Sequence, residues 1–578
     1  MNLNYSRKAD LLLIHPPSVF DFQKRSILFG PISDVVPSTP AFEMYPIGFS
    51  SIAEHLSRNG IEVRIVNLAY LMVRNPGLDV RRFLSNLKAE AFGISLHWLP
   101  HAHGAMELAR LLKELHPGKP IILGGYSATY YHEEIIEYPY IDFIVRGDSA
   151  ERPLLMLMRA IKERGRFEDI PNLVYKRKGE VVINKEIHVE QNLNDFTNDY
   201  LNLFRKAVKY RSLVAMTPIY DWWRYPITMI VTCRGCMNNC VICGGSKFAT
   251  KKYLNRDSVA FRDPKKLADD TIKLTRYTKA PIFIVGDLRH AGDEYAETFI
   301  KHIGKTKIEN QIIVELFDAA SEGYMQMLSD VIPNVNFEIS PETHDDRIRK
   351  RSGKNYTSRK MEDTIRWGVK YGVKKFDVFF MIGIAGQGKE SVMDTVIYGA
   401  YLMQEFGGGV SSFIAPLAPF LDPGSIAFER PEKNGYRVLF RKFSDHVVAL
   451  KSQSWKEMLN YETEWMTRDD IVSVTYEAGK RLNDLKHVLG RISDKTHQNV
   501  KRRIERNLMV IKRMAEGRKG KSNIPAAEEL IYRGIRLGDL GTVCGKEEIK
   551  WPVMRSRFNF VKIGIDVIRE IMRRRFHK

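Results

Sequence analysis

Residues 232–243 read TCRGCMNNCVIC and hold four of the five cysteines in the chain. Cys236, Cys240 and Cys243 form a C-x3-C-x2-C run directly after a short apolar segment. Three thiolates at this spacing predict a [4Fe–4S] cluster in which the protein binds three irons. The fourth iron then remains open to a ligand that is not a side chain. The sequence is therefore interpreted outward from this run.

Cys233 and Cys544 stand apart from the C-x3-C-x2-C run. A zinc site built from Cys233 and the three cysteines after it is the alternative to a cluster. Zinc ribbons, however, separate their two cysteine pairs much more widely. We interpret Cys233 as a small buried residue because the cluster spacing is complete without it. Cys544, alone in a glycine-flanked loop, is interpreted as a bystander.

The bulk composition is that of a globular protein with several domains. The chain has 578 residues, 44% of them hydrophobic and 27% charged, and a net charge of +20. At about 150 residues per domain, three or four domains are expected. The start, MNLNYSRKADLLLIHPP, lacks the apolar run of a signal peptide, and no stretch approaches the about 18 apolar residues of a membrane span. We expect a cytoplasmic protein whose positive charge attracts an acidic partner, a nucleic acid or an anionic membrane surface.

Residues 1–160 predict a doubly wound α/β domain of the Rossmann-like kind, in which short apolar runs alternate with helical patterns. Its ligands are expected at the carboxyl ends of the strands. A linker is predicted over 161–224, with one hairpin in the sequence NLVYKRKGEVVINKE. The predicted strands of the first domain are Leu11–Ile14, Val63–Val66, Ala91–Ile94, Ile121–Leu123 and Ile141–Val145.

Residues 225–430 predict a partial (β/α)6 barrel, because six apolar runs again alternate with helices. Beyond this barrel, residues 431–578 predict a basic helical C-terminal domain. The predicted barrel strands are Ile227–Val231, Ile282–Val285, Ile312–Leu316, Val335–Ile339, Phe376–Ile382 and Ser412–Ile414.

Three motifs follow the cysteines at predicted strand ends: Val285-Gly286-Asp287, FEISPETHDD with Ser340 and Glu342, and FFMIGIAGQGKES with Gly383 at its centre. Each alone is also typical of ordinary strand-end turns. In this order after the cysteines, they resemble the radical SAM family, which cleaves S-adenosylmethionine reductively to a 5′-deoxyadenosyl radical. The resemblance covers about residues 8 to 430.

The resemblance implies a role for each motif. Gly286 and Asp287 take the position of the family's contact to the methionine amino group. Ser340 and Glu342 fall where the family has polar contacts to ribose or methionine. Gly383 backs the adenine, and the backbone at Ile242 meets it. The sequence assigns no catalytic side chain.

The first domain resembles the cobalamin-binding domain of the same class through two strand-end sequences, GGYSAT and VRGDSAE. These imply cobalamin contacts at four positions: Gly125, Ser127, Thr129 and Gly147. The Asp-x-His-x-x-Gly motif, which gives a histidine to cobalt in some relatives, is absent. His97 and His101 follow the third predicted strand, and we interpret both as solvated loop histidines rather than cofactor contacts.

The segments Ala415–Phe440 and Ser454–Gly479 resemble archaeal enzymes that join unactivated carbons of membrane lipids. Tetraether synthases of this group need further metal clusters, for which this chain has too few cysteines. The resemblance therefore implies a ring synthase that forms cyclopentane rings in archaeal tetraether lipids. Its expected partners are the tetraether lipid and an electron donor such as a ferredoxin.

Two alternatives remain open: a cobalamin-dependent radical SAM methyltransferase, and a non-enzymatic membrane-surface or nucleic-acid binding protein with a structural cluster. The tail beyond Phe558 mixes Ile, Phe and Val with Lys and Arg, which is typical of a helix lying on an anionic membrane. A helix packed on its own domain gives the same pattern. No RNA-binding module is evident, so no nucleic acid is expected. We expect a peripheral association with the cytoplasmic membrane.

Overall fold

Two mostly parallel sheets organise the protein, and their carboxyl ends face a common cavity. The computed structural model describes residues 7–25, 27–31, 39–196, 200–211, 213–219, 222–223, 226–417, 421–517, 543–550 and 558–576.

The first sheet has seven strands in the order β2-β1-β3-β4-β5-β6-β7. The first five run parallel, as the alternation of apolar runs and helices predicts, and β6 and β7 are antiparallel to their neighbours. Side chains on both faces of β1 and β3 are buried, because helices cover the sheet from both sides. The strands are β1 (Ala9–His15), β2 (Val63–Asn67), β3 (Ala89–Ser95), β4 (Ile121–Gly124), β5 (Phe143–Val145), β6 (Leu173–Arg177) and β7 (Glu180–Ile183).

The predicted hairpin exists, but it belongs to the first sheet. Strands β6 and β7 extend that sheet beyond β5, so the first domain reaches Ile183 rather than residue 160. The predicted linker is correspondingly shorter. Apolar side chains of β6, such as Val174 and Tyr175, are buried and complete the core at this edge.

Helices of the first domain pack on both faces of its sheet, and one further helix, Tyr200–Tyr210, follows it. The α-helices are Gly48–Arg58, Leu68–Arg74, Val80–Ser85, Ala102–Leu115, Tyr126–Tyr130, His132–Ile136 and Glu151–Glu163, and single 3₁₀ turns occupy Phe22–Lys24, Leu99–His101, Leu193–Asp195 and Val214–Met216.

The second sheet has six parallel strands in the order β15-β14-β13-β12-β11-β8, which confirms the six predicted barrel strands. The sheet is open, with β8 and β15 as its edges. A short antiparallel pair, β9 and β10, follows the first strand. The strands are β8 (Thr228–Val231), β9 (Cys233–Arg234), β10 (Ala260–Phe261), β11 (Ile282–Val285), β12 (Ile312–Leu316), β13 (Val335–Glu342), β14 (Lys375–Ile382) and β15 (Val410–Pro416).

Helices follow the barrel strands as the crossovers require. Several begin at a side-chain cap, such as Ser246, whose hydroxyl accepts from the Ala249 N–H at 3.3 Å. The barrel helices are Lys247–Leu254, Pro264–Thr275, Asp293–Ile303, Glu322–Val331, Asp346–Arg351, Ser358–Lys370 and Lys389–Phe406, with a 3₁₀ turn at Leu288–Ala291.

The region after residue 430 is helical, but it packs on both earlier domains. The Trp455 side chain is buried beside Gly30, and the backbone N–H of Trp455 donates to the Leu28 carbonyl at 2.9 Å. Its other elements are the helices Ile426–Glu429, Pro431–Asn434, Phe443–Ala449, Trp455–Met458, Arg468–Val488, Asp494–Gly517 and Phe560–Phe576, and the antiparallel strands β16 (Tyr436–Val438) and β17 (Tyr461–Thr463).

One buried apolar cluster includes Leu12 of the first sheet, Val314 of the second and Trp455 of the C-terminal region. The three regions therefore share a core. Among the helices of the described residues, none is both long enough and apolar enough to span a bilayer.

Candidate functional site

The cysteine loop follows β8 and β9 and places Cys236, Cys240 and Cys243 half-buried at the carboxyl end of the barrel. Two sulfurs already accept backbone hydrogen bonds. The Asn238 N–H lies 3.4 Å from the Cys236 Sγ, and the Gly245 N–H lies 3.3 Å from the Cys243 Sγ. Such N–H groups stabilise charge on thiolate sulfur, so the donor set fits an iron–sulfur cluster.

Later parts of the chain hold this loop in place. The Val241 N–H donates to the Ser352 carbonyl at 3.0 Å, and its own carbonyl accepts from the Ala427 N–H at 2.9 Å. Gly353 lies against the loop with a φ of +93°, and a Cβ there would come within 2.6 Å of the Asn239 oxygen. The loop is thus fixed by backbone contacts that no larger residue at 353 would permit.

The other two cysteines lie elsewhere. A Cβ built on Gly286 would lie 3.6 Å from the Cys233 Sγ, so this thiol is directed toward the end of β11 and lines the cavity described below. Cys544 is buried, and its carbonyl accepts from Arg503 at 2.9 Å. In the described part of the chain, no three His, Cys, Asp or Glu side chains, the cysteines of this loop included, are already arranged around one point as metal ligands.

Lys354 brings a positive charge to the cysteine loop. Its side chain is 10% exposed, and its Nζ lies 3.5 Å from Glu342 Oε1. Burial raises the pKa of the Cys236 and Cys240 thiols, and the Lys354 charge acts against that rise. Burial raises the pKa of Cys243 to about 12, so a bound metal is needed to keep this group as a thiolate.

Glu342 has the properties of a ligand-binding carboxylate. It ends β13 at an irregularity in the pairing with β14 and has a φ of +67°, a region that a residue with a Cβ seldom adopts. Its Oε2 is buried and has no protein hydrogen-bond partner among the described residues. Ser340, two residues earlier, is half-buried on the same strand. A polar ligand between the two residues would satisfy the unpaired oxygen.

The Asp287 carboxylate is engaged within the protein, and its predicted contact to the methionine amino group stays a prediction. Its carboxylate accepts from the Arg289 Nη2 at 2.6 Å and from the Phe317 N–H at 2.9 Å, and it is 2% exposed. It caps a turn and fixes Arg289, so it has little capacity left for an amino group. The sequence prediction followed the position of Asp287 in the chain, whereas its partners are Arg289, two residues later, and Phe317, 30 residues away.

Glu315 is the residue that the sequence analysis missed. It lies on β12, and its Oε2 accepts from the Gly286 N–H at 2.6 Å. Burial raises the pKa of Glu315 to about 7, and its charge also raises the pKa of the Cys233 and Cys236 thiols. A carboxylate beside both the cysteine loop and Gly286 is suited to an ammonium group. An acidic residue in an otherwise apolar strand, IIVEL, was the available signal.

The remaining barrel predictions lie around the same edge. Ile242 is buried between two cluster cysteines. Gly383 follows β14 with a φ of +91°, and a Cβ there would lie 2.4 Å from the Tyr461 hydroxyl of β17. Gly383 also donates its N–H to Gln387 at 3.0 Å. The glycine is therefore required by the packing of the C-terminal hairpin on this turn. A contact from Gly383 or Ile242 to adenine stays a prediction.

A cavity of about 440 Å³ lies between the carboxyl ends of the two sheets. From the first domain it is lined by the ends of β3, β4 and β5, and from the barrel by Val231, Cys233 and Val285. Apolar side chains such as Phe49, Trp98 and Leu154 close its walls. This cavity reaches from the floor of the first domain to Cys233, Arg234 and Gly235, directly before Cys236, and the three predicted cluster cysteines are not among its lining residues.

Glycines form the floor of the cavity, as the strand-end motifs predict for Gly125 and Gly147. At Gly48 a Cβ would meet no atom within 4 Å, and at Gly124 only the Val145 carbonyl at 3.6 Å. These positions leave a cradle without side chains, which fits a flat macrocycle such as a corrin. Gly125, with a φ of +117°, leaves no room for a Cβ beside His97.

Ser127 and Thr129 lie behind the floor and hold its loops together. The Ser127 hydroxyl donates to the His97 carbonyl at 3.1 Å. The Thr129 hydroxyl donates to the Gly125 carbonyl at 2.8 Å and accepts from the Gly147 N–H at 2.9 Å. Their hydroxyls are engaged within the protein, so they support the cofactor site from behind.

The interpretation of both histidines as solvated is wrong. His101 is 1% exposed, and its Nε2 lies 2.9 Å from the Phe42 carbonyl oxygen. His97 is half-buried and lines the cavity. Burial lowers the pKa of each to about 4, so both imidazoles are neutral. The predicted loop is in fact covered because the 3₁₀ turn Leu99–His101 folds it against the sheet.

Two buried ion pairs join the domains at the cavity wall. Arg234 contacts both carboxylate oxygens of Glu151, one of them at 3.0 Å. Arg256 contacts Asp148 in the same two-pronged way, at 2.5 and 3.0 Å. Burial alone would raise the pKa of Glu151, but Arg234 holds it below its usual value. The VRGDSAE sequence therefore also binds the barrel.

Comparison with known proteins agrees with this geometry. Residues 34–154 match the family described as the B12 binding domain, and residues 230–398 match the radical SAM superfamily. The chain thus joins a B12-binding domain to a radical SAM domain, as cobalamin-dependent radical SAM enzymes do. The two matched domains are of the kinds that use S-adenosylmethionine with a [4Fe–4S] cluster and cobalamin.

Two curated proteins are similar over part of the chain. Hopanoid C-3 methylase of Methylococcus capsulatus is 22% identical over 272 residues, which are 47% of this chain and 47% of that protein. Anaerobic magnesium-protoporphyrin IX monomethyl ester cyclase of Synechocystis is 24% identical over 181 residues, 31% of this chain and 32% of that protein. The similarity spans about half of the first relative and about a third of the second.

Solved structures share the fold at low identity. OxsB, with aqua-cobalamin and S-adenosylmethionine bound, has a TM-score of 0.55 at 13% identity and covers 98% of this chain and 81% of its own. TsrM from Kitasatospora setae, a radical S-adenosylmethionine methyltransferase, has a TM-score of 0.53 at 15% identity, with 76% and 79% covered.

Proposed function

We propose that this protein is a cobalamin-dependent radical SAM methyltransferase that acts on an unactivated carbon of an apolar substrate. The observation that carries the proposal is the shared cavity, because its glycine floor faces residues 233–235 of the barrel, which lead directly into the loop of Cys236, Cys240 and Cys243. A cofactor on the floor and a cofactor at the cysteines would then approach the same substrate carbon. Hopanoid C-3 methylase, a methylating enzyme by its name, supports this over ring formation.

The net reaction converts a substrate C–H bond into a C–CH₃ bond. When bound, the cluster with S-adenosylmethionine supplies the radical that removes the hydrogen atom, and cobalamin supplies the methyl group. Each turnover consumes two molecules of S-adenosylmethionine. It yields 5′-deoxyadenosine and methionine from one and S-adenosylhomocysteine from the other. Two electrons come from an external donor, for which we propose a ferredoxin.

The chain's own residues orient the reactants. Glu315 is placed to accept the ammonium group of S-adenosylmethionine, and the unpaired Oε2 of Glu342 to accept a further hydrogen bond. Phe49, Trp98 and Leu154 make their part of the cavity wall apolar. Such side chains around the reacting carbon limit side reactions of a carbon radical, because they do not readily donate a hydrogen atom or a proton.

Ring formation in archaeal tetraether lipids is the second candidate. It rests on the resemblance of the segments after the barrel and on the shortage of cysteines for further clusters. Both candidates require an apolar substrate and a radical at a saturated carbon. They differ in their co-products, because ring closure forms no S-adenosylhomocysteine.

The deciding experiment measures co-products in an anaerobic assay with reconstituted cluster, cobalamin and reductant. Two lipid extracts of the host serve as substrates. One contains the ring-bearing lipids, and the other does not. Methyl transfer predicts equal amounts of 5′-deoxyadenosine and S-adenosylhomocysteine together with a methylated lipid. Formation of 5′-deoxyadenosine alone, with new rings in the lipid, would establish the second candidate.

Cys240→Ala is the matched control, because it removes one cluster ligand while the cavity floor is unchanged. It should form neither co-product. If the wild-type protein also forms no 5′-deoxyadenosine under any of these conditions, the non-enzymatic alternative replaces both candidates.

A further inference from the structure

The helix Phe560–Phe576 has two apolar faces, and only one of them is packed. Ile563 and Val567 are buried against Leu201 and Tyr277 in a small separate core. The second face holds four large apolar side chains spaced by four, three and four residues, so they form one stripe. In the described part of the chain these are exposed: Val561 (76%), Ile565 (45%), Ile568 (57%) and Met572 (51%).

Exposed apolar stripes of this size call for a partner, because soluble surfaces rarely keep them. The sequence of the helix favours a negatively charged one: it has five basic residues against two acidic ones, within a chain of net charge +20. Asp566 is engaged by Tyr277 at 3.0 Å and Arg569 at 3.3 Å, which reduces its effect on an approaching anion.

The helix is firmly attached to the protein. The Asn559 N–H donates to the Tyr277 carbonyl at 2.8 Å, and Phe558 pairs with Thr278. Phe558 also packs against the rings of Trp222 and Trp223 at 5.2 and 5.8 Å. The stripe is therefore presented on a fixed base.

A row of small, separate cavities lies between this base and the main cavity. A cavity of about 10 Å³ is lined by Phe558, Ile563, Tyr200 and Tyr277. The next, of about 40 Å³, shares both tyrosines with it and shares Phe196 with the main cavity. The row follows β8, the edge strand of the open sheet.

We propose that the stripe of Val561, Ile565, Ile568 and Met572 docks on the surface of an anionic phospholipid bilayer. Docking brings the row of cavities beside β8 to the membrane, from which an apolar substrate enters the main cavity. The apolar residues insert at the level of the headgroups, and the basic residues contact lipid phosphates. The identity of the substrate rests on the proposed function, whereas membrane binding does not.

The test measures binding of the full-length protein to vesicles. Wild-type protein should sediment with phosphatidylcholine vesicles that contain 30% phosphatidylglycerol and much less with pure phosphatidylcholine. The double variant Ile565→Glu/Ile568→Glu should bind at least tenfold more weakly. Val488→Glu is the matched control, because Val488 is a similarly exposed apolar residue (80%) on another helix, and it should bind like the wild type.

Equal binding by the double variant, or no binding by the wild type, would overturn the proposal. Light scattering tests whether a second copy of the chain covers the stripe instead. If the wild type is a dimer, the double variant is a monomer and neither binds vesicles, the stripe is a dimer interface. Circular dichroism and cluster absorbance confirm that the variants are folded.

A second measurement separates this proposal from the proposed function. Turnover of a vesicle-embedded lipid substrate should fall at least tenfold in the double variant, and turnover of the same substrate in detergent should not change. Vesicle binding without any methylation would contradict the proposed function and leave the docking surface supported.

Discussion

Among single residues, Glu315 gives the most specific prediction, which concerns the binding of S-adenosylmethionine. Glu315→Gln keeps the acceptor for the Gly286 N–H and removes the charge. A charge-assisted hydrogen bond contributes about 1.5–3 kcal/mol, so binding of S-adenosylmethionine should weaken about 10- to 100-fold. Isothermal titration of the reconstituted protein measures this.

The raised pKa of Glu315 gives the same site a pH dependence. The carboxylate is charged only above its pKa of about 7, so wild-type affinity should fall as the pH decreases from 8 to 6. Glu315→Gln should show a flat profile over this range. Asp287→Asn is the control, since Asp287 is engaged by Arg289, and it should keep the wild-type slope. A flat profile in the wild type would remove Glu315 from the site.

Lys354 is expected to matter for both fold and cluster. Lys354→Met leaves Glu342 buried without its cation, and breaking a buried pair costs about 3–5 kcal/mol. It also removes a positive charge beside Cys240. We expect a lower melting temperature and a lower iron content per chain after reconstitution. Lys350→Met, at an exposed position of the same segment, should match the wild type in both measurements.

At the scale of elements, Gly353 determines whether the cysteine loop can close. In Gly353→Ala the Cβ would collide with the Asn239 oxygen at 2.6 Å, where the backbone φ is also +93°. We expect loss of most cluster iron, measured by absorbance and iron analysis. Gly372→Ala has a similar strain, with a φ of +76°, and nothing within 4 Å, so it should lose only about 1 kcal/mol and keep its iron. Equal iron in both variants would show that the contact is unimportant.

The elements themselves were largely predictable, because their apolar runs are bounded by glycines and prolines. All six predicted barrel strands occur, and so does the hairpin over NLVYKRKGEVVINKE. The hydrophobic periodicity of a segment does not predict which strand an edge strand pairs with. Strands β6 and β7 were assigned to a linker because the antiparallel pairing of β6 with β5, which joins the hairpin to the sheet, depends on contacts about 30 residues away.

The site residues also fall into two groups: those that sequence spacing predicts and those whose roles depend on contacts in the fold. The three cysteines were predicted from spacing alone, and their role as cluster ligands stays a prediction that the backbone N–H groups at Cys236 and Cys243 support. Asp287 and Glu315 could not be distinguished by sequence, because their roles depend on which carboxylate Arg289 engages. His101 was expected in solvent, and burial became visible only when the first domain was complete.

At the scale of the whole molecule, the Arg234–Glu151 pair joins the two domains. Arg234→Met leaves Glu151 buried and charged, so we expect a loss of about 3–5 kcal/mol and a clearly lower melting temperature. The double variant Arg234→Met/Glu151→Met should recover part of that loss. Arg81→Met breaks an exposed pair with Glu114 and should leave the melting temperature unchanged. A single variant as stable as the double would contradict a coupled pair.

The Arg234–Glu151 pair also predicts how the stability of the protein depends on pH. The pKa of Glu151 is below its usual value in the folded protein, so its contribution is fully present at neutral pH. It should be lost as the pH falls below about 4.5 through the lower folded pKa. In Arg234→Met, burial without the cation raises the folded pKa of Glu151 above its unfolded value, so the dependence on this group should reverse and its cost to stability should shrink as the pH falls from 7. Melting curves of both proteins between pH 3 and 7 would show the difference.

The contacts that hold the cysteine loop also determine when, during synthesis of the chain, the loop can reach its final structure. Val241 needs the N–H of Ala427, and Gly244 needs the carboxylate of Asp422, both of which leave the ribosome long after the loop itself. At about 5–20 residues per second, about 180 further residues take on the order of 10–40 s. During that interval three thiols stand in an unfinished loop, exposed to any oxidant in the cell. A host that makes this enzyme therefore has to keep oxygen away, or provide a binding factor, until the chain is nearly complete.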